Sequence, residues 1–283
     1  MENNTPICVI TGANSGIGKQ TAIELAEKGY YLILLVKDSD KSREAYDEIK
    51  SYSTDGQVEM IFTDLSAFDS IKRAVEVIRS KYQQLDILIN NAGIYKRKKE
   101  MSADSHEMTL AVNYLAPYYL TRLLFPLIEK SPSARIINVT SGLYKNGSTD
   151  FESFYPSGKF EGLKTYADSK LLLVYFTYYL SELVSGKNIT VNAVHPGVIA
   201  TGVFRELPGF VNTLLRFFVG KPEKGARPVV YLATSPEVEK VTGKYFDKGK
   251  MYPALETVYK TADAKRLWNK TEDMINRFMP EVD

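Results

Sequence analysis

Short apolar runs rich in β-branched residues alternate along this chain with longer segments of helical periodicity. Strands that are apolar on both faces and separated by amphipathic helices are typical of a parallel sheet covered by helices on both sides. Because parallel crossovers are right-handed, the pattern predicts one α/β domain, 1–283, with a doubly wound sheet of about seven strands. The strand-like runs are 6–11, 31–36, 57–63, 85–90, 134–140, 189–194 and 243–247, and the helical segments are 17–29, 39–52, 67–82, 103–130, 166–185 and 222–234.

Composition and charge exclude several classes of function. The 36 basic and 34 acidic residues leave a net charge of +2, which argues against a nucleic-acid partner. The single cysteine, Cys8, excludes a disulfide framework, and with only His106 and His195 we expect no metal site. The first apolar run leaves no room for a signal peptide, and no apolar stretch approaches the roughly 20 residues of a membrane span. We therefore expect a cytoplasmic protein.

A glycine-rich turn, TGANSGIG, directly follows the first apolar run and leads into a helical segment. Gly12, Gly16 and Gly18 would let the backbone approach a pyrophosphate, which then lies at the helix N-terminus. Their spacing is GxxxGxG and not the usual GxGxxG. The position between the first strand and the first helix predicts a dinucleotide site.

A phenol and an ammonium stand four residues apart in KTYADSK, residues 164–170. In a helix this spacing places Tyr166 and Lys170 on one face, one turn apart. A cation there would stabilise the phenolate and lower the pKa of the tyrosine from its reference value near 10. Taken alone, the two residues are also compatible with an ordinary surface pair.

Eight short motifs follow one another along the chain in the order found in one enzyme family. Through them the sequence resembles the short-chain dehydrogenases/reductases, and most closely the branch that contains the retinol dehydrogenases and their bacterial relatives. The resemblance covers residues 6 to at least 250, and it implies a Rossmann-type fold and an oxidoreductase that acts on alcohol or carbonyl groups. The motifs are TGANSGIG (11–18), FTDLS (62–66), NNAG (90–93), AVNYLAP (111–117), IINVTS (136–141), YADSK (166–170), VNAVHPGV (191–198) and TGKYF (242–246).

The resemblance implies a catalytic set of Asn113, Ser141, Tyr166 and Lys170. Tyr166 would donate or accept the proton as general acid or base, and Lys170 would lower its pKa and bond the nicotinamide ribose. Ser141 would hold the substrate oxygen by a hydrogen bond that strengthens as charge develops. Asn113 would anchor a water that joins Lys170 to solvent.

The end of the second apolar run, Leu35-Val36-Lys37-Asp38, bears on the choice of nicotinamide cofactor. Relatives that use NAD tend to carry an acid at the position of Val36, and those that use NADP commonly carry arginine at that of Lys37. A cation near the ribose suits a 2′-phosphate, which predicts NADP(H), with Lys19 adding to the positive field. In the alternatives, Lys37 is a solvated strand-end residue, or Asp38 turns inward as the ribose acid and NAD(H) is used.

The resemblance also implies the remaining cofactor contacts. Residues near the adenine and its ribose would follow the third and fourth strands, and residues near the carboxamide and phosphates would follow the sixth. His195 is interpreted as a turn residue without a chemical role. The complete predicted set is Gly12, Asn14, Ser15, Gly16, Ile17, Gly18, Lys37, Asp64, Leu65, Asn91, Ala92, Gly93, Tyr166, Lys170, Pro196, Gly197, Val198 and Thr201.

Two segments do not fit the alternation, and both bear on substrate and partners. The segment 142–165 is a long insertion, and in relatives such insertions often cover dimerisation faces, so we expect a monomer or a homodimer. The segment 198–221 is interpreted as a lid over a hydrophobic carbonyl or alcohol substrate, with a core connection and a weak membrane-surface contact near Arg216 and Lys221 as alternatives. Its large apolar residues are Phe204, Leu207, Phe210, Leu214, Phe217 and Phe218.

In an alternative interpretation, this chain has the same fold but is not catalytically active. Such a protein would be a silent nucleotide-binding regulator or scaffold. The intact Ser141, Tyr166 and Lys170 argue against this alternative.

Overall fold

Eight strands form one sheet at the centre of the protein, which a computed structural model describes over residues 5–54, 56–148, 160–197, 221–253, 258 and 261–279. The order across the sheet is β3-β2-β1-β4-β5-β6-β7-β8, and all neighbours are parallel except β7 and β8. The strands are β1 (Ile7–Thr11), β2 (Tyr31–Val36), β3 (Val58–Phe62), β4 (Ile87–Asn90), β5 (Ala134–Val139), β6 (Ile189–His195), β7 (Lys244–Asp247) and β8 (Lys250–Tyr252).

Helices cover both faces of this sheet. Their bounds are α1 (Gly16–Glu27), α2 (Asp40–Ser51), α3 (Phe68–Lys81), α4 (Met108–Leu110), α5 (Ala116–Ile128), α6 (Gly162–Leu183), α7 (Pro222–Thr234) and α8 (Thr261–Ile275). A π-helical turn, Ala111–Leu115, joins α4 to α5, and short 3₁₀ turns occupy Gly142–Asn146, Pro236–Val238 and Asn276–Phe278.

Two apolar layers separate the helices from the sheet. Alternate residues of the central strands enter opposite layers: Val9 packs with α3, α5 and α6, whereas Cys8 and Ile10 pack with α1, α2 and α7. A strand buried on both faces needs apolar residues at every position, which explains the continuous apolar runs. The predicted doubly wound α/β fold with helices on both faces is confirmed.

The structure differs from the predicted elements at four places. An eighth, three-residue strand pairs antiparallel with β7, and its Met251 and Tyr252 are exposed, so no apolar run marks it. Helix α6 begins at Gly162, four residues before the predicted start. The predicted helix 103–130 begins only at Met108 and contains the π turn. Helix α8 was not predicted.

Helix α8 fastens α5 and α6 together. Glu272 accepts hydrogen bonds from the hydroxyl of Tyr118 (2.5 Å) and from Nε of Arg122 (2.8 Å). Trp268 stacks against Phe176 of α6 at 6.0 Å between ring centroids, with an interplanar angle of 15°. The hydroxyls of Tyr114 and Thr271 are 2.6 Å apart. The last helix therefore contacts both of the elements that follow β4 and β5.

Parts of two predicted segments lie outside the described residues. The predicted lid, 198–221, does so for 198–220, and the predicted insertion, 142–165, does so for 149–159. Within the residues that are described, no helix combines the length and apolar character needed to span a membrane.

Candidate active site

The glycine turn between β1 and α1 is shaped by close backbone contacts. Gly12 and Gly16 have φ of 69° and 55°, a region that residues with side chains rarely adopt. A Cβ on Gly18 would lie 2.3 Å from Nδ2 of Asn91 and 2.5 Å from the carbonyl oxygen of Gly12. Only glycine allows this turn to fold back on the start of α1.

The N-terminus of α1 has the character of an anion site. Ser15 precedes the helix with extended backbone, its side chain makes no capping bond, and the first turn carries no acidic residue. The uncapped N–H groups and the positive end of the helix dipole then face the glycine turn. These features fit a dinucleotide pyrophosphate, as predicted for Gly12 to Gly18.

The segment after β4 holds the glycine turn in place. Nδ2 of Asn91 donates to the carbonyl of Thr11 at 2.9 Å, and the backbone N–H groups of Asn91 and Ala92 both donate to Oγ1 of Thr11 at 3.0 Å. A Cβ on Gly93 would lie 3.1 Å from Nζ of Lys170. The predicted residues Asn91, Ala92 and Gly93 therefore lie between the glycine turn and the tyrosine–lysine pair.

Lys37 and Asp64, both predicted cofactor contacts, form an ion pair of 3.1 Å. Burial by itself would raise the pKa of the Asp64 carboxyl, but hydrogen bonds from Ser66 and Lys37 outweigh it and hold the pKa below its ordinary value. Leu65 is buried and packs into the layer with α3 and α5, so its side chain belongs to the core.

The loop after β2 contains contacts that the sequence did not reveal. Asp38 pairs with Arg43 of α2, whose guanidinium lies 5.0 Å from the centroid of the Phe62 ring. The alternative in which Asp38 turns inward is thus not the observed arrangement. Nδ2 of Asn14 donates to Oγ of Ser42 at 3.1 Å, which joins the glycine turn to α2. Arg43 and Ser42 belong to none of the eight motifs, so the sequence did not indicate these contacts.

Tyr166 and Ser141 meet in a buried hydrogen bond. Tyr166 is 5% exposed, and Ser141 is the N-cap of the 3₁₀ turn that follows β5. Burial raises the pKa of Tyr166 to about 12, and the hydrogen bond with Ser141 opposes part of that rise. The phenol is therefore protonated at neutral pH.

Lys170 lies one helical turn after Tyr166, as predicted, with Nζ 5.9 Å from the centroid of the tyrosine ring. Nζ donates to the carbonyl of Val139 at 3.0 Å, and burial lowers the pKa of Lys170 to about 8. The predicted lowering of the tyrosine pKa by this lysine is not seen in this arrangement, where burial raises the pKa of Tyr166.

Asn113 lies in the π turn, fully buried. Its Oδ1 accepts from the backbone N–H of Ile94 at 2.8 Å, and its Nδ2 donates to the carbonyl of Ile94 at 2.9 Å and to Oγ of Ser169 at 3.1 Å. A π turn widens a helix locally, and such turns are frequent at functional sites. Asn113 thereby connects the segment after β4 to the helix that carries Tyr166.

Pro196 and Gly197 follow β6 at the same edge of the sheet, and Gly197 has φ of 96°. A Cβ on Gly142, next to Ser141, would lie 3.3 Å from Nε2 of His195. Burial lowers the pKa of His195, and the nearby charges of Asp247, Lys248 and Lys145 modify it. The predicted contacts Val198 and Thr201 lie outside the described residues.

The sequence matches the family model of the short chain dehydrogenases over residues 6–210. The chain belongs to this family. Human retinol dehydrogenase 13 is 35% identical over 283 residues, covering 97% of this chain and 86% of that protein. Human polyprenol dehydrogenase is 31% identical over 278 residues, covering 95% and 84%. The predicted placement in the retinol dehydrogenase-like branch is confirmed.

Solved structures agree with this assignment of the short-chain dehydrogenase. An uncharacterized protein from Mycobacterium paratuberculosis superposes with a TM-score of 0.76 at 27% identity, covering 96% of each chain. A structure from Beutenbergia cavernae that contains NADP at low occupancy gives a TM-score of 0.69 at 26% identity, covering 86% of this chain and 94% of that chain. The protein is an oxidoreductase of alcohol or carbonyl groups.

Proposed function

We propose that this short-chain dehydrogenase uses NADP(H) to interconvert a hydrophobic carbonyl compound and its alcohol, with Tyr166 as the general acid or base. The observation that carries the proposal is the buried hydrogen bond between Tyr166 and Ser141, one helical turn from Lys170. Ser141 follows β5, whereas Tyr166 and Lys170 lie in α6. Nζ of Lys170 also lies 3.1 Å from the position of a Cβ on Gly93, in the segment that holds the glycine turn.

The roles of the side chains follow from their contacts. When bound, the nicotinamide cofactor supplies or takes up the hydride. Tyr166, protonated at neutral pH, would donate its proton to the substrate oxygen in reduction; in oxidation its phenolate form would accept the proton of the alcohol. Ser141 would hold that oxygen. Lys170 would give a proton to the phenolate after reduction, and would take one from the phenol before oxidation. Asn113, bonded to Ile94 and Ser169, would keep the two segments in register.

The preference for NADP(H) rests on the end of β2. The strand closes with the apolar Val36, and Lys37 follows at the position where a 2′-phosphate would need a cation. The Beutenbergia cavernae relative holds NADP, which is consistent with this preference. NAD(H) remains the alternative cofactor.

The hydrophobic substrate class rests on two of the relatives. Retinol and polyprenol, in the names of the human proteins that match this chain, are long apolar alcohols. The predicted lid over 198–221, with its six large apolar residues, would cover such a substrate in the single domain.

A screen of NADPH oxidation over carbonyl compounds of graded size and polarity tests the proposal. We expect apolar aldehydes or ketones to be reduced faster than small polar ones, and NADH to support a lower rate. Tightly bound NADPH with no turnover on any carbonyl or alcohol would instead indicate a silent nucleotide-binding protein.

A further inference from the structure

Tyr95 lies directly against the proposed catalytic tyrosine. Its ring centroid is 6.4 Å from that of Tyr166, with an interplanar angle of 73°. Such edge-to-face pairs are favourable, and they restrict the rotation of both rings. Tyr95 is 6% exposed and Tyr166 5%, so both rings of the pair are buried.

The backbone next to Tyr95 is fixed by hydrogen bonds to the side chain of Asn113. Both polar backbone groups of Ile94 are bonded to the Asn113 side chain, at 2.8 and 2.9 Å. The same side chain donates to Ser169, whose hydroxyl donates to the carbonyl of Tyr166 at 2.7 Å. The segment 94–96 is therefore tied, through Asn113, to the backbone of Tyr166 itself.

Gly162, the first residue of α6, allows this segment to lie against the helix. A Cβ at this position would be 2.2 Å from the carbonyl oxygen of Lys96, 3.1 Å from Cε2 of Tyr95 and 3.2 Å from its hydroxyl. The first of these atoms belongs to the backbone, so a side chain at 162 would push the segment away from α6. The glycine is thus required for the contact between the rings.

We infer that Tyr95 is a positioning residue for Tyr166, and that Gly162 is the residue that permits the contact. Tyr95 would keep the phenol directed at Ser141 and exclude water from its other side. Misplacing a reacting group by about 1 Å can reduce turnover by about a hundredfold. The inference rests on the proposed role of Tyr166, because a positioning residue has an effect on rate only if the positioned group reacts.

The test combines turnover with a direct observation of the Tyr166 phenol. At about pH 10.5 an exposed tyrosine is mostly ionised, because its reference pKa is near 10. Tyrosine labelled with ¹³C at Cζ reports ionisation in the free enzyme, and the Tyr166 signal is assigned as the one lost in Tyr166→Phe. We expect Tyr166 to remain protonated at this pH in the wild type and in Tyr95→Phe, which keeps the ring.

Tyr95→Ala would open a path for water to the phenol. We expect partial ionisation of Tyr166 at about pH 10.5, and a fall in kcat of about 10- to 100-fold with the KM for the cofactor little changed. Tyr95→Phe should retain kcat within about threefold, because ring and packing are kept. A protein with only a structural defect would lose stability without this selective change in the Tyr166 signal.

Gly162→Ala provides a second route to the same result, and it leaves both tyrosines in the chain. Its matched control is Leu163→Ala, since Leu163 is the next residue of the same helical turn and is 54% exposed. We expect Gly162→Ala to reproduce the Tyr95→Ala phenotype and Leu163→Ala to resemble the wild type.

Wild-type titration of Tyr166 and wild-type kcat in folded Tyr95→Ala and Gly162→Ala would overturn the inference. Failure of the proposed function gives a different pattern: Tyr166→Phe would keep full turnover, while the labelled Tyr166 signal would still respond to Tyr95→Ala.

Discussion

The ammonium of Lys37 lies 3.1 Å from the carboxylate of Asp64, across the ends of the neighbouring strands β2 and β3. Both side chains are substantially exposed, at 61% and 44%, so this ion pair contributes little to stability and can separate at little cost. A 2′-phosphate would compete with Asp64 for the same cation.

Lys37→Ala should therefore remove most of the preference for NADPH over NADH. A charge-assisted bond to the 2′-phosphate corresponds to about a ten- to hundredfold difference in Kd. Calorimetric titration of both cofactors measures it, and Lys187→Ala is the control, because Lys187 precedes β6 at the amino ends of the strands and is paired with Glu129. Equal affinities of the wild type for NADH and NADPH would contradict the assignment.

Tyr166→Phe should remove general acid–base catalysis and leave the fold intact. The substitution deletes one hydroxyl, and we expect the rate of a saturating single turnover to fall by about 10²- to 10⁴-fold with cofactor affinity retained. Tyr179→Phe is the control, since Tyr179 lies in the same helix and packs on Trp268, away from Ser141. A wild-type single-turnover rate in Tyr166→Phe would show that another group transfers the proton.

Lys170 should make folding depend on pH in the alkaline range. Burial lowers its pKa to about 8, so the unfolded chain binds the proton more tightly than the folded one. The free energy of unfolding should accordingly gain from this group as pH rises from about 8 to about 10.4, and the gain should be complete above that range. Below about pH 8 the buried charge carries its full cost, on the order of 3 kcal/mol.

Lys170→Met isolates this contribution, because it keeps the length of the side chain and removes the amine. Urea unfolding at several pH values between about 7 and 10.5 gives the difference in stability between wild type and variant. We expect the variant to be the more stable at pH 7 and its advantage to shrink toward pH 10.5. A difference that does not change with pH would mean that the pKa of Lys170 is ordinary.

Gly18→Ala should distort the glycine turn and weaken the binding of the cofactor. The added Cβ would meet Asn91 and the backbone of Gly12, and overpacking of this kind typically costs about 1–3 kcal/mol. Gly29→Ala is the control, since it has φ of 80° and no atom within 4 Å of the added Cβ, so it measures backbone strain alone. Both cofactors should bind more weakly only in Gly18→Ala, which equilibrium titration would show.

The fold could be predicted from the sequence because one pattern, an apolar strand followed by a helical segment, is repeated along the chain. Strands β1, β2, β4, β5 and β6 are buried almost throughout, and apolar runs mark these five as well as the more exposed β3 and β7. Strand β8 has three exposed residues at the edge of the sheet, and α8 lies beyond the last motif, so neither has a comparable signal.

The helical placement of Tyr166 and Lys170 was predictable from the sequence, whereas the electrostatics around them were not. Spacing places Tyr166 and Lys170 on one helical face, and the observed helix confirms this arrangement. The direction of the tyrosine pKa depends on how much water the surrounding elements exclude, and a linear pattern of residues does not contain that information. The same holds for the contact of Tyr95 with Tyr166. It depends on the close approach of Lys96 and Gly162, which are 66 residues apart in the sequence.

The contacts of α8 with α5 and α6 affect the order in which these helices can pack during synthesis of the chain. Helices α5 and α6 precede α8 in the chain, so their aromatic surface is synthesised before the helix that covers it. Until Trp268 and Glu272 emerge, Tyr118 and Phe176 lack the contacts that bury them in the finished protein. Exposed aromatic surface of this kind promotes association between nascent chains. The elements that carry Asn113 and Tyr166 therefore reach their final packing only when the last helix has joined them.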